Sequence, residues 1–157
     1  MKRVYLVLSL VFLLIGGYGC IKDTGCQNKS IDSERAAIQA YASANGITAT
    51  AHSSGVYYQI INPGSGVTPN SNSKVFVTYT GKLLDGTQFD AGTTPVTGGG
   101  WALSGLISGW QIGLPLIQKG GTIKLIIPSS LAYGCQGAGT IGGNSILYFE
   151  ITLNDVQ

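Results

Sequence analysis

The chain predicts an α+β fold: an antiparallel sheet, one short internal helix, and a helical appendix at the N-terminus. Three observations carry this. Lys74 to Leu83, Thr122 to Ile127 and Ile146 to Leu153 alternate and are rich in β-branched and aromatic residues, as half-buried strands are. Asp85-Gly86 follows the first run and supplies a hairpin turn. Residues 32–46 carry helical punctuation instead: Asp32 or Ser33 to cap, Glu34 in the first turn, and Asn45-Gly46 to stop.

The N-terminus reads as an address. Lys2 and Arg3 precede a mostly apolar run from Val4 to Ile15, and Gly16-Gly17-Tyr18-Gly19-Cys20 follows. This order matches the charged, apolar and small-residue regions of a secretory signal over residues 1–19. The apolar run is shorter than the roughly 20 residues a membrane span needs. A cysteine at its end resembles a bacterial lipobox, so Cys20 is expected to carry a lipid and become the new N-terminus. Removing Lys2 and Arg3 leaves seven basic residues of the nine, against seven acidic ones. So balanced a charge offers no basic patch for nucleic acid. What remains suits one domain with one core.

With Cys20 lipidated, Cys26 and Cys135 are an even pair in a compartment that permits disulfides. Pairing and two independent thiols both remain open. Neither cysteine has a CxxC partner, and His52 is the only histidine, so no metal site and no cofactor are expected. Residues 20–31 are short and polar and read as a tether. Asn28-Lys29-Ser30 fits the glycosylation sequon and is taken as chance. In residues 32–47, Ile38, Tyr41 and Ile47 with Ala37 and Ala44 make a modest apolar stripe, that of a docking helix.

From Gly55 onward the signals are β. Val56 to Ile61 is a strand, broken by Asn62-Pro63-Gly64. Gly98-Gly99-Gly100 marks a loop. Ile107 to Ile117 is short, contains Gly113 and Pro115, and fits one or two helical turns. Residues 129–144 form a long glycine-rich loop with one ordered turn, before the last strand.

Familiar catalytic constellations are missing. There is no Gly-x-Ser-x-Gly elbow, no P-loop and no close carboxylate pair, and His52 reads as a surface histidine. Phe89-Asp90, just past the hairpin turn, is the unusual feature: a lone acid among aromatic and aliphatic residues. Leu106-Ile107-Ser108-Gly109-Trp110 and Ile127-Pro128-Ser129-Ser130-Leu131-Ala132-Tyr133-Gly134 add two further apolar blocks. Together they can line one apolar pocket. Without nucleophile, metal or base, such a pocket can still speed rotation about a bond. The X–Pro amide turns slowly because resonance stiffens its C–N bond, with a barrier of roughly 20 kcal/mol. Water stabilises the planar, charge-separated amide, and an apolar pocket removes that solvation.

These blocks resemble those of the FKBP-type peptidyl-prolyl isomerases. Val75 to Asp90, Trp101 to Gly113, Ile127 to Gly134 and Ile141 to Phe149 follow the family pattern in order, within about residues 55–157. The resemblance implies an antiparallel sheet curled around one short helix, and prolyl isomerase activity on exported, proline-containing polypeptides. It implies Trp110 as the floor beneath the proline ring, with Tyr79, Phe89 and Phe149 as walls. Leu106, Ile107, Trp101 and Ile141 complete the lining. The Ile107 N–H and the Tyr133 hydroxyl are expected to hold substrate carbonyls, and Asp90 to polarise the rim.

The sequence departs from the pattern at three places. Trp101 stands for Phe and gives a bulkier rim. Leu106 stands for Val. Ile141-Gly142-Gly143-Asn144 stands for Ile-Pro-x-Asn, and two glycines are freer than a proline. Lower efficiency or altered substrate preference is expected to follow. The chain is expected to act as a monomer, held to the bacterial envelope by the lipid. Two other readings stay open. One is a chaperone or proline-segment-binding module without useful catalysis. The other is a structural component of an envelope complex that docks through residues 32–46.

Overall fold

The computed structural model describes residues 25–95 and 98–157. The expected signal over 1–19 and the lipidation site Cys20 lie outside the described residues.

Helix α1 spans Ile31–Ala44. Ser30 caps it, in the role expected of Asp32 or Ser33: its hydroxyl accepts from the Ser33 N–H at 3.3 Å, and the Ser33 hydroxyl donates back to the Ser30 carbonyl at 2.6 Å. Ser30 is extended at φ −72°, ψ 146°, as an N-cap must be, so the helix begins one residue earlier. Asn45 closes the other end by donating to the Tyr41 carbonyl.

The strands are β1 (Thr50–Ala51), β2 (Tyr57–Asn62), β3 (Lys74–Leu83), β4 (Gln88–Thr93), β5 (Trp101–Ala102), β6 (Thr122–Ile127) and β7 (Leu147–Val156). They form one antiparallel sheet in the order β1-β2-β6-β7-β3-β4, with β5 pairing β3 beyond that path. The hairpin at Asp85-Gly86 joins β3 to β4, and Asp85 accepts from the Thr87 N–H at 2.8 Å. Helix α2, Ser108–Gly113, with a 3₁₀ turn at Leu114–Leu116, is the expected internal helix.

Strand β6 shows how the sheet is used. Its residues alternate faces, and both faces are covered. Leu125 and Ile127 join Phe149, Leu147 and Trp110 in the main core. Ile126 faces the other way and packs with Tyr57, Tyr148, Ile38 and Ala42. So α2 lies on one face and α1 on the other. The seat of α2 is close: a Cβ at Gly113 would stand 2.6 Å from the Leu125 side chain, nearer than carbon atoms pack. Of the stripe read as a docking surface, Ile38 and Ile47 are buried within the chain and Tyr41 partly so, whereas Ala37 and Ala44 are exposed and Glu34 and Ala42 take their place on the buried face.

Residues 25–30, expected as part of a free tether, are bonded to the long loop after β6. Cys26 and Cys135 are disulfide-linked. Lys29 donates its N–H to Asn144 Oδ1 at 3.0 Å, and Asn144 Nδ2 donates to the Gln27 carbonyl at 3.1 Å. Short polar side chains suited to solvent are equally suited to satisfying the backbone groups of a glycine-rich loop.

Candidate active site

Pairing of β3 with its neighbours builds one wall of a cavity. Gly81 lies opposite Asp90 on β4 and opposite Phe149 on β7. Its missing side chain leaves room for rings: a Cβ there would sit 2.7 Å from Phe89 Cζ and 2.8 Å from Phe149 Cε1. The register then slips. Gly81 pairs Asp90, yet Lys82 pairs Gln88, so Phe89 is an extra residue in a β-bulge. A bulge breaks strict alternation. It brings Phe89 and Asp90, neighbours in sequence, to the same cavity. This is the structural basis of the unusual aromatic–acid pair.

The cavity measures about 510 Å³. Tyr79, Phe89, Phe149 and Trp110 line it, as do Trp101, Leu106, Ile107, Tyr133 and Asp90. Trp110, on α2, is almost wholly buried at 4% exposure and contacts three other rings of the cluster. It meets Tyr79 edge-on at 5.3 Å and 79°, and Phe149 at 5.2 Å and 88°. Phe89 meets Phe149 at 5.5 Å and 86°, and Trp101 meets Tyr79 at 5.8 Å and 64°. Edge-to-face contacts set positive ring edges against negative faces, so each ring fixes the tilt of the next. The Trp110 indole Nε1 is buried without a hydrogen-bond partner among the described residues.

Polar groups are sparse at the rim. The Tyr79 hydroxyl donates to Asp90 Oδ2 at 2.6 Å. Burial, and after it this bond, push the Tyr79 phenol well above its ordinary range, so it stays a donor. The Ile107 N–H, just before α2, donates to no group among the described residues and is available to a ligand carbonyl. Tyr133 is 39% exposed, and no bond from its hydroxyl is formed among the described residues. The cavity thus joins an apolar, aromatic interior to a hydroxyl, an N–H and one carboxylate at its mouth.

Residues 66–154 match the family of FKBP-type peptidyl-prolyl cis-trans isomerases. FkpA of Escherichia coli, which bears that description, is 44% identical over 105 residues, 67% of this chain and 39% of FkpA. The chain belongs to the FKBP-type peptidyl-prolyl cis-trans isomerase family. The outer membrane protein MIP of Legionella longbeachae is 37% identical over 135 residues, 83% of this chain and 57% of MIP. The crystal structure of a peptidyl-prolyl cis-trans isomerase from Pseudomonas syringae has a TM-score of 0.67 at 31% identity, over 83% of this chain and 98% of that one. This chain spans less than three fifths of the length of FkpA or MIP.

Within this FKBP-type domain, nine of the ten residues expected at the pocket line the cavity; Ile141 does not. Ile141 is 8% exposed and packs in the main core. It is bridged to Ala138, each N–H donating to the other's carbonyl, at 2.8 and 2.9 Å. Gly143, two residues on, is closely packed, whereas Gly142 has open space beside it. A Cβ at Gly143 would collide with the Cys135 carbonyl oxygen, and the Asn144 N–H donates to the Gly134 carbonyl at 2.7 Å. His52 bonds Ser54 and does not line the cavity. Sequence reasoning missed Gly81, whose value lies in what it omits, and Gly100, Ala102 and Gly105, which line the cavity without a distinctive side chain. It also missed Glu34. That carboxylate is 3% exposed, and its Oε2 accepts from the Ser129 N–H at 2.8 Å at the start of the Tyr133 loop.

Proposed function

We propose that this chain is a peptidyl-prolyl cis-trans isomerase acting on proline-containing segments of exported polypeptides. The observation that carries the reading is the aromatic cavity floored by Trp110, with Tyr79, Phe89 and Phe149 around it. A pyrrolidine ring is apolar and compact, and stacks on such a floor with little loss of side-chain entropy. The Ile107 N–H and the Tyr133 hydroxyl hold backbone carbonyls on either side of the proline. Water leaves the amide as it binds. The planar amide, whose oxygen carries resonance charge, loses more solvation than the twisted one. Asp90, kept in place by Tyr79, opposes negative charge on a nearby carbonyl oxygen, and so disfavours the planar state further. Binding groups pre-set for the twisted amide lower its barrier without any covalent step.

The domain is held in the envelope by a lipid on Cys20, in this reading, with residues 1–19 removed. The sequence of the apolar run ending at Cys20, the description of MIP as an outer membrane protein, and a disulfide suited to an oxidising compartment all support that placement. A coupled assay on an X–Pro peptide tests the function. Purified, folded chain is expected to raise the cis-to-trans rate above the uncatalysed one, and Phe89→Ala and Asp90→Ala to reduce the gain. A rate no faster than the uncatalysed one contradicts it. Retention of client binding without that acceleration identifies the chaperone alternative.

A further inference from the structure

We infer that the segment from Cys26 to Glu34 is a strap that positions Tyr133, with Asn28 as its main positioning residue; this rests on the isomerase reading above. Tyr133 sits in the loop between β6 and β7, at the short link between the 3₁₀ turns Ser129–Leu131 and Gly134–Gln136. The strap fastens that loop on both sides of it. Four residues before Tyr133, the Ser129 N–H donates to Glu34 Oε2 at 2.8 Å. Two residues after it, the Cys135 N–H donates to Asn28 Oδ1 at 2.8 Å, and the Cys135 sulfur is bonded to Cys26.

Asn28 also shapes the residue next to Tyr133. Gly134 is left-handed at φ +58°, and a Cβ there would stand 2.6 Å from Asn28 Oδ1. The asparagine side chain therefore sits where only glycine leaves room. The Gly134 carbonyl accepts from the Asn144 N–H, and the Tyr133 carbonyl from the Gly137 N–H at 3.2 Å. Asn144 is itself left-handed at φ +56°, a conformation asparagine tolerates better than most residues. Its side chain bonds the strap twice, to Lys29 and Gln27. Backbone bonds within the loop and bonds to the strap thus form one network around Tyr133.

The strap lies outside the family-matched region, which begins at residue 66. It joins the loop where Gly142-Gly143 stands in place of the proline of the family pattern. Stiffness that a proline would supply locally comes here from a distant segment. A hydroxyl that must meet a carbonyl within hydrogen-bond distance gains from such fixing, because misplacement by about 1 Å can cost up to about 100-fold in rate.

Hydrogen exchange and isomerisation, measured together on the full chain, test the strap. Asn28→Ala is expected to speed amide exchange over residues 131–136 about tenfold, and to lower kcat/KM about fivefold, at unchanged global exchange of β6 and β7. Asn28→Asp keeps the acceptor for Cys135 and is expected to behave as wild type. In a Tyr133→Phe background, Asn28→Ala is expected to lower kcat/KM no further, because its effect passes through the missing hydroxyl. Should Asn28→Ala not fold, Asn144→Asp serves in its place: it keeps the bond to Lys29, loses the one to Gln27, and is expected to speed exchange about twofold. Unchanged exchange over 131–136, or losses from Asn28→Ala and Tyr133→Phe that multiply, overturn the inference. Wild-type chain without isomerase activity overturns the functional reading instead, and the exchange comparison still decides whether the strap holds the loop.

Discussion

Gly81→Ala is the sharpest test of how the cavity is built. The added methyl would lie 2.7 Å from Phe89 Cζ and 2.8 Å from Phe149 Cε1. Carbon atoms rest at about 3.5–4.0 Å, so the rings must retreat by roughly 1 Å. Phe149 has little freedom to do so, being 3% exposed and braced edge-on by Trp110 at 5.2 Å. Overpacking of this kind costs about 1–3 kcal/mol. For a domain of this size that is a fall in Tm of about 3–10 °C. The same retreat narrows the cavity, and a displacement of that size at bound substrate lowers kcat/KM by about 10- to 100-fold. Thermal melts and peptide isomerisation read both effects. Gly142→Ala is the control, since its Cβ meets nothing nearer than Ser145 Oγ at 3.7 Å. Wild-type Tm and activity for Gly81→Ala would mean that the rings do not depend on the empty space over Gly81.

Further outcomes follow from the polar contacts. Tyr79 keeps its proton to higher pH when folded than when unfolded, so its contribution to stability is present below the unfolded phenol pKa of about 10 and is lost as pH rises beyond it. Tyr79→Phe is expected to flatten that alkaline decline in denaturant melts, and to remove one late phase from the ultraviolet titration of phenolate. Replacing both Cys26 and Cys135 by Ser opens a loop with a sequence separation of 109, for which the chain-entropy account gives about 4–5 kcal/mol of lost stability. Urea unfolding measures it, and an unchanged midpoint contradicts it. Glu34→Ala leaves the buried Ser129 N–H without its acceptor and is expected to cost about 1–3 kcal/mol, while Glu34→Gln, which keeps a carbonyl there, costs less than about 1 kcal/mol.

Legibility from sequence divided along physical lines. Strands β3 and β6 were read to the residue, because alternation and β-branched content report burial directly. The cavity residues were legible as a set, because aromatic rings beside a lone carboxylate are a poor choice for a core and were placed by the family pattern. The bulge at Phe89 was not legible. It is a property of how β4 registers against β3, and the string Gln88-Phe89-Asp90 is compatible with plain alternation. Ile141 illustrates the converse: its position in the pattern pointed to the pocket, while the bridge to Ala138 turns it into the core. The strap was invisible for another reason. Asn28 and Asn144 are ordinary polar residues, and only contacts across chain separations of 107 to 117 residues reveal that each segment satisfies backbone groups of the other. The α1 stripe was legible in part: Ile38 and Ile47 are buried, but Ala37 and Ala44 face out while Glu34 and Ala42 face in, and no periodicity tells which surface the helix covers.

In the proposed mechanism a proline ring sits on Trp110, and its amide turns faster there. Exchange NMR on an X–Pro peptide with sub-stoichiometric chain measures both parts in one sample. Accelerated exchange between cis and trans resonances is expected, together with nuclear Overhauser contacts from the proline ring protons to the Trp110 indole. Accelerated exchange without those contacts, or contacts without acceleration, would contradict that mechanism.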